Sequence, residues 1–199
     1  MSSPSRPAAE ELASLARSQK PVLASLGVAT MNALMPRTPE AWVDGNAEEI
    51  LSDHGAGKRV AIIGHFPFVP RLRERVGELI VLERNPGQGD LPAEAAPDVL
   101  PNADMVAITG MTLANHTLDS LLNLCSQEAV VMVLGPSTPL SPVLFDFGVD
   151  LISGAVVTRI EPVMRAVAQG ANFRQVNKAG VRLVTMVRPG FAFNGNETG

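Results

Sequence analysis

His65, Glu83, Asp90 and His116 are the side chains of this sequence best suited to hold a metal ion or to move a proton. None stands in the tight spacing of H-x-x-x-H or C-x-x-C, so spacing alone makes only a weak case for a metal. Their surroundings say more. Each of five short apolar runs is followed by glycine and polar residues. These are Gly64-His65-Phe66-Pro67, then Glu83-Arg84-Asn85-Pro86 with Gly87, Gly89 and Asp90 beyond it. Next come Thr109-Gly110-Met111-Thr112 with Asn115 and His116 one turn further, Gly135-Pro136-Ser137-Thr138-Pro139, and Ser153-Gly154. If the runs are parallel strands, all these groups collect at one edge, outside the carboxyl ends, where open α/β sheets bind their ligands.

Each group also has a plain structural role open to it. Gly64 and Gly110 suit ordinary turns. His65 either contacts a ligand or serves as a hydrogen-bonded support, and its place at a strand end favours the first. His116, in the first turns of a helix, faces the crevice or caps something, with nothing to choose between them. Glu83 pairs with Arg84 or Arg59, or else takes the position, 19 residues after Gly64, where dinucleotide folds hold a ribose. A pyrophosphate cradle is not expected, because IGHFPFV lacks the G-x-G-x-x-G pattern. Gly135, Ser137 and Thr138 offer N–H and hydroxyl donors, which suit an anion site or an N-cap equally. Asp90 is a turn former or a carboxylate presented to the site. Asp104 opens its strand at the opposite end and is set aside. No G-x-S-x-G elbow surrounds Ser137. Cys125, in LLNLC, reads as a buried structural thiol.

The elements that must position these groups follow from the hydrophobic pattern. Strands are expected at 59–64, 78–83, 104–110, 129–135, 149–154 and 181–187, the last one antiparallel or at the sheet edge. Helices are expected at 72–77, 112–125 (with Thr112 as cap candidate) and 162–170, with a short helix within 140–148. Residues 84–101 read mainly as a long loop. Before the sheet, a helix from Pro7 to about Lys20 and a second over 22–35 precede a connector that holds a short helix near Ala47–Leu51. Residues 1–6 are Ser/Pro-rich and expected to be disordered. Alternating strands and helices predict an α/β fold: a mostly parallel, Rossmann-like sheet flanked by helices, with a short helical N-terminal extension over 1–57 and the α/β domain over 58–199.

Composition narrows the function. The chain has 199 residues, 46% of them apolar, and carries a net charge of −4 with no basic run. Phosphate neutralisation is thus not expected, and nucleic acid is not an expected partner. No run approaches a membrane span, and no secretory signal is read at the start. With one cysteine no internal disulfide forms, which suits a cytoplasmic location. The apolar N-terminal helices and the LLNLC stretch are compatible with a homodimer.

IGHFP (63–67), LERNPGQGDLP (82–92), LPNADMVAITGMTLANHTLDSLL (100–122) and GPSTPLSPVLFDFGVDLISGAVV (135–157) resemble the C-terminal, Rossmann-like domain of the putative heavy-metal chelation family. The resemblance covers roughly residues 58–160. It implies a role in heavy-metal chelation or in cobalamin-related metabolism, with no reaction assigned. It places motif positions at His65, Glu83, Asp90, Thr109, Gly110, Thr112, Asn115, Thr117, Gly135, Ser137 and Pro139. LGVATMNALMP (26–36), including Asn32, resembles the helical end of the enolase-N-terminal-like domain that precedes the sheet in this family, in shortened form.

Three functions follow as expectations. The first is binding of a divalent transition metal or metal complex, with His65, Glu83 and His116 as metal ligands and the crevice-edge residues, Thr138 included, around them. The second is an enzyme using a nucleotide or S-adenosylmethionine-type cofactor through Glu83. The third is a non-catalytic binding module.

Overall fold

The structure, a computed structural model, describes residues 6–43 and 46–192. The first five residues, within the stretch expected to be disordered, lie outside that range. In chain order the elements are α1 (Arg6–Ser14), α2 (Pro21–Leu34), β1 (Trp42–Val43), α3 (Ala47–Gly55), β2 (Arg59–Ile63), α4 (Val69–Arg73), β3 (Glu78–Glu83), β4 (Leu91–Pro92), α5 (Ala96–Val99), β5 (Met105–Thr109), α6 (Met111–Ala114), α7 (Leu118–Leu122), β6 (Val130–Leu134), β7 (Leu151–Val157), α8 (Ile160–Ala168), α9 (Phe173–Gly180) and β8 (Val181–Val187). Short 3-10 turns separate several of them.

The strands form one eight-stranded sheet in the order β1-β8-β7-β6-β5-β2-β3-β4. From β7 to β4 every neighbour is parallel. β8 runs antiparallel to β7, and the two-residue β1 closes that edge antiparallel to β8. The expected α/β architecture is therefore present, including the antiparallel last strand.

The central strands read as unbroken apolar runs because both of their faces are covered. Ala61, Ile63, Val106, Ile108, Val131 and Val133 point into one layer, packed on Leu100 and Leu118. Val60, Ile62, Val81, Met105, Ala107 and Met132 point into the other, packed on Leu51 of α3 and Leu72 of α4. At the amino ends, Asp104 accepts the Arg59 N–H at 2.8 Å, so it is a structural residue remote from the carboxyl edge.

The structure departs from the sequence expectation in four places. The helix expected over 112–125 is two short helices, α6 and α7. Between them the Asn115 side chain accepts from the Thr117 N–H (3.2 Å) and hydroxyl (2.6 Å), a local turn that outcompetes the helical ladder. His116 at that turn has φ +60°. Thr112 lies inside α6 and donates its hydroxyl to the Thr109 carbonyl at 2.7 Å instead of capping. The helix expected over 72–77 is instead Val69–Arg73, with Pro70 accommodated in its first turn, and residues 74–77 are not helical. Residues 84–101 are not mainly loop but carry β4 and α5. Finally, α9 was not expected, although Asn172 and Gln175 form a capping box there.

α1 and the 3-10 turn after it fold back on α2. The contact is closest at Gly27, where an added Cβ would lie 1.9 Å from the Ala16 nitrogen. Gly27→Ala should therefore push the N-terminal hairpin off α2. The expected result is a loss of roughly 1–3 kcal/mol in thermal unfolding and faster proteolysis within residues 6–20, with the sheet's circular dichroism retained.

Candidate functional site

The sheet order places a topological reversal at β2. After β2 the chain adds β3 and β4 on one side, then returns to set β5 on the other. The loops leaving β2 and β5 thus diverge, and the gap between them is where open α/β sheets take ligands. A cavity of about 960 Å³ occupies this gap. Gly64, His65 and Phe66 supply one lip, Thr109, Thr112 and Asn115 the other, and Glu83 with Arg84 the end of β3. Pro21 and Ser25 of α2 reach the same cavity.

Gly64 turns the chain out of β2 with φ +102°, a conformation that costs a residue with a Cβ. Its N–H still donates to the Leu82 carbonyl at 2.9 Å, so the ladder holds to the last residue before His65. His65 is half exposed at the mouth. Its Nδ1 lies 3.0 Å from Oδ2 of Asp90, whose side chain is only 3% exposed. The same oxygen accepts the Gly87 N–H at 3.0 Å, and the Asp90 N–H donates to the Gly87 carbonyl at 3.1 Å. The Gly87–Asp90 turn therefore builds a buried carboxylate whose outward task is to orient one imidazole. A carboxylate on Nδ1 puts the proton there and leaves the Nε2 lone pair for a ligand. Glu83 accepts the Arg84 N–H at 2.8 Å through Oε1.

The remaining expected residues divide. Gly110 lies against Thr138, and Gly135 donates its N–H to the Ser153 carbonyl at 3.1 Å; both serve the backbone. His116 Nε2 lies 2.9 Å from the Ser18 carbonyl, so this ring fastens the N-terminal hairpin to the α6–α7 turn and does not line the His65 cavity. Asn32, Ser137 and Thr138 line a second cavity, of about 670 Å³, separated from the first by Ser25, Met111 and Ala114, which border both. There the Asn32 Nδ2 donates to the Ser137 carbonyl at 2.9 Å. The Asn32 Oδ1, the Thr138 hydroxyl and the Trp42 Nε1 are sealed from solvent without a partner. Each such atom costs about 1–3 kcal/mol.

Sequence reasoning placed Phe66, Arg84 and Met111 on the carboxyl edge without giving them a role, and it gave no reading of Trp42, the single tryptophan of the chain, which carries no motif.

Among the described residues, no three His, Cys, Asp or Glu side chains come together as a metal cage. The imidazole and carboxylate donors in the cavity lining are His65, Glu83 and Glu94, which do not come together as a cluster. That set does not fit a bare ion held by this chain alone, which ordinarily takes three or four protein ligands. Cys125 adds nothing to it. Its thiol donates to the Leu121 carbonyl at 3.3 Å, and burial raises its pKa to about 11.

Sheet and cavity together define a Rossmann-like α/β protein with a cavity at its switch point. A model of the DUF364 family, described as "Putative heavy-metal chelation", matches residues 46–186, and the chain belongs to that family. An uncharacterised protein of Methanocaldococcus jannaschii is 29% identical over 162 residues, which are 78% of this chain and 62% of that protein. The chain thus spans less than two thirds of this relative's length. A DUF364 protein of unknown function from Desulfitobacterium hafniense shares the fold with a TM-score of 0.81 at 31% identity, covering 90% of this chain and 75% of the other. A second, from Pyrococcus horikoshii, superposes with a TM-score of 0.76 at 24% identity, covering 94% and 76%. No helix among the described residues is long and apolar enough to cross a membrane.

The raised Cys125 pKa predicts a slow thiol. Alkylation by iodoacetamide at neutral pH should run at least about tenfold slower in the native protein than in denaturant. Equal rates would place the thiol in the open.

Proposed function

We infer that this chain binds a transition metal already held in an organic complex, a tetrapyrrole- or corrinoid-type chelate, and adds His65 as one ligand to it. The observation that carries this reading is the His65–Asp90 pair: a half-exposed imidazole whose other nitrogen is locked by a buried carboxylate. A carboxylate on one ring nitrogen orients a histidine whose other nitrogen binds a metal. The absence of a three-ligand cage among the described residues argues for a chelate over a bare ion, because a chelate brings most of its own donors. The cavity volume suits a large cofactor-sized ligand. The family description points to heavy metals.

Cobinamide is the probe, because its visible spectrum changes when an imidazole enters an axial position. Stoichiometric binding with that change is expected. His65→Ala should abolish the spectral change, and Asp90→Asn should weaken binding roughly 10–100-fold without altering the melting profile near the sheet. Tight binding of a bare divalent ion, unaffected by His65→Ala, would reject the reading.

One observation favours a second reading. Glu83 ends β3 in the cavity wall, at the place where dinucleotide folds bind a ribose. Against it, the turn after β2 lacks a G-x-G-x-x-G pattern, and the Phe66 ring fills the space beside Gly64, 3.6 Å from where its Cβ would stand. Thermal stabilisation by S-adenosylmethionine that disappears in Glu83→Ala would select the nucleotide reading.

A further inference from the structure

α2 carries no charged residue over its 14 positions. A helix this apolar ordinarily lies buried, yet its outward face is open. Val22, Leu26, Ala29 and Ala33 recur at the helical spacing of four, three and four, and all of them are exposed, with Leu34 exposed beside them. α8 has a matching stripe of Ile160, Val163, Met164 and Val167, in which only Val163 is buried. The two faces are continuous, because Ala29 and Ala33 border the second cavity together with Ile160 and Met164. That cavity is therefore a groove between α2 and α8. The large apolar residues of the two faces, Val22, Leu26, Leu34, Ile160, Met164 and Val167, are 45% to 80% exposed. At about 160 Å² for a fully extended residue of this size they present roughly 600 Å² in all, to which Ala29 and Ala33 add. That is the upper end of the largest apolar patch on a typical monomer, about 600 Å². It also supplies most of the roughly 800 Å² that each partner gives to a standard interface.

We propose that a second copy of this chain covers this face, in a two-fold dimer whose α2 helices cross antiparallel. The shape of the face selects that occupant. A two-fold contact needs one surface that holds both members of each contact. Along α2, Val22 and Leu26 project, whereas Ala29 and Ala33 leave a hollow. Both large-to-small pairs, Val22 with Ala33 and Leu26 with Ala29, share one midpoint, between Gly27 and Val28. Antiparallel helices crossing there set Val22 of one copy against Ala33 of the other, and Leu26 of one copy against Ala29 of the other. Every large side chain then meets a small one, which is how packed helices interdigitate. The stripe on α8 closes the groove over the incoming helix. No like charges meet along α2, and the two copies of Arg37, which lies beyond the carboxyl end of α2, stand at opposite ends of the contact. The dimer stands apart from the function proposed for His65, and the two fail separately.

Sedimentation equilibrium of the full chain tests this. A mass of twice 21.0 kDa is expected, with dimer predominating at about 10 µM. Ala33→Glu and, separately, Leu26→Glu each bury a lone charge in the contact, and each should raise the dimer dissociation constant at least about 100-fold. Both positions are exposed in the protomer, so circular dichroism should be unchanged. The double variant Val22→Lys/Ala33→Glu brings opposite charges together twice across the axis. It should dimerise at least about tenfold more tightly than Ala33→Glu alone. Leu26→Glu/Ala29→Lys makes the same comparison with Leu26→Glu, so a misfolded Ala33→Glu leaves the second pair to decide. His65→Ala should remain dimeric. A monomer at about 100 µM, a dimer untouched by both single charges, or double variants no tighter than their single parents would overturn the proposal.

Discussion

The reversal of chain direction across the sheet at β2 is the constraint from which the site follows. Parallel pairing levels the strand ends, so that Ile63 stands beside both Leu82 and Ile108 in register. The chain leaves β2 toward β3 and leaves β5 toward β6. Neither loop can close the gap between them. A cavity must therefore lie at that seam, and the residues that border it are those that happen to follow the two central strands. Were β3 and β5 exchanged in order, the same polar residues would sit over closed crossover connections.

Within that seam the chain invests structure in a single side chain. Burying a carboxylate is costly unless it is hydrogen-bonded. Asp90 meets that cost through the Gly87 N–H and His65, both at 3.0 Å. β4 pairs with β3 at Leu82 and Glu83 and so anchors the segment that carries this turn. The N-terminal hairpin is tied in as well. Ser25 reaches both cavities, and His116 holds the Ser18 carbonyl. The helices ahead of the sheet thus act as a wall shared by two pockets. One pocket has an exposed, oriented imidazole, and the other has sealed and unpartnered polar atoms.

The sequence by itself determined the sheet and the edge on which polar groups gather. Continuous apolar runs such as RVAII and MVAIT can be buried only on both faces, and glycine with polar residues after each run marks the carboxyl edge. The string around His65, Glu83 and Asp90 was enough to place the chain in its family. The Asn172–Gln175 capping box was legible too, and α9 was overlooked only because its apolar content is low. What the sequence could not express is pairing at a distance. That His65 meets Asp90 depends on a turn 25 residues later folding back beside β2. That His116 turns away depends on a carbonyl 98 residues earlier in the chain. The division of Asn32, Ser137 and Thr138 from the His65 group was likewise decided only in three dimensions, where α2 packs against α6 and interposes Met111 and Ala114 between two cavities. Local pattern reports which face a residue takes, whereas which neighbour it meets is set by the order of strands and the packing of helices on them.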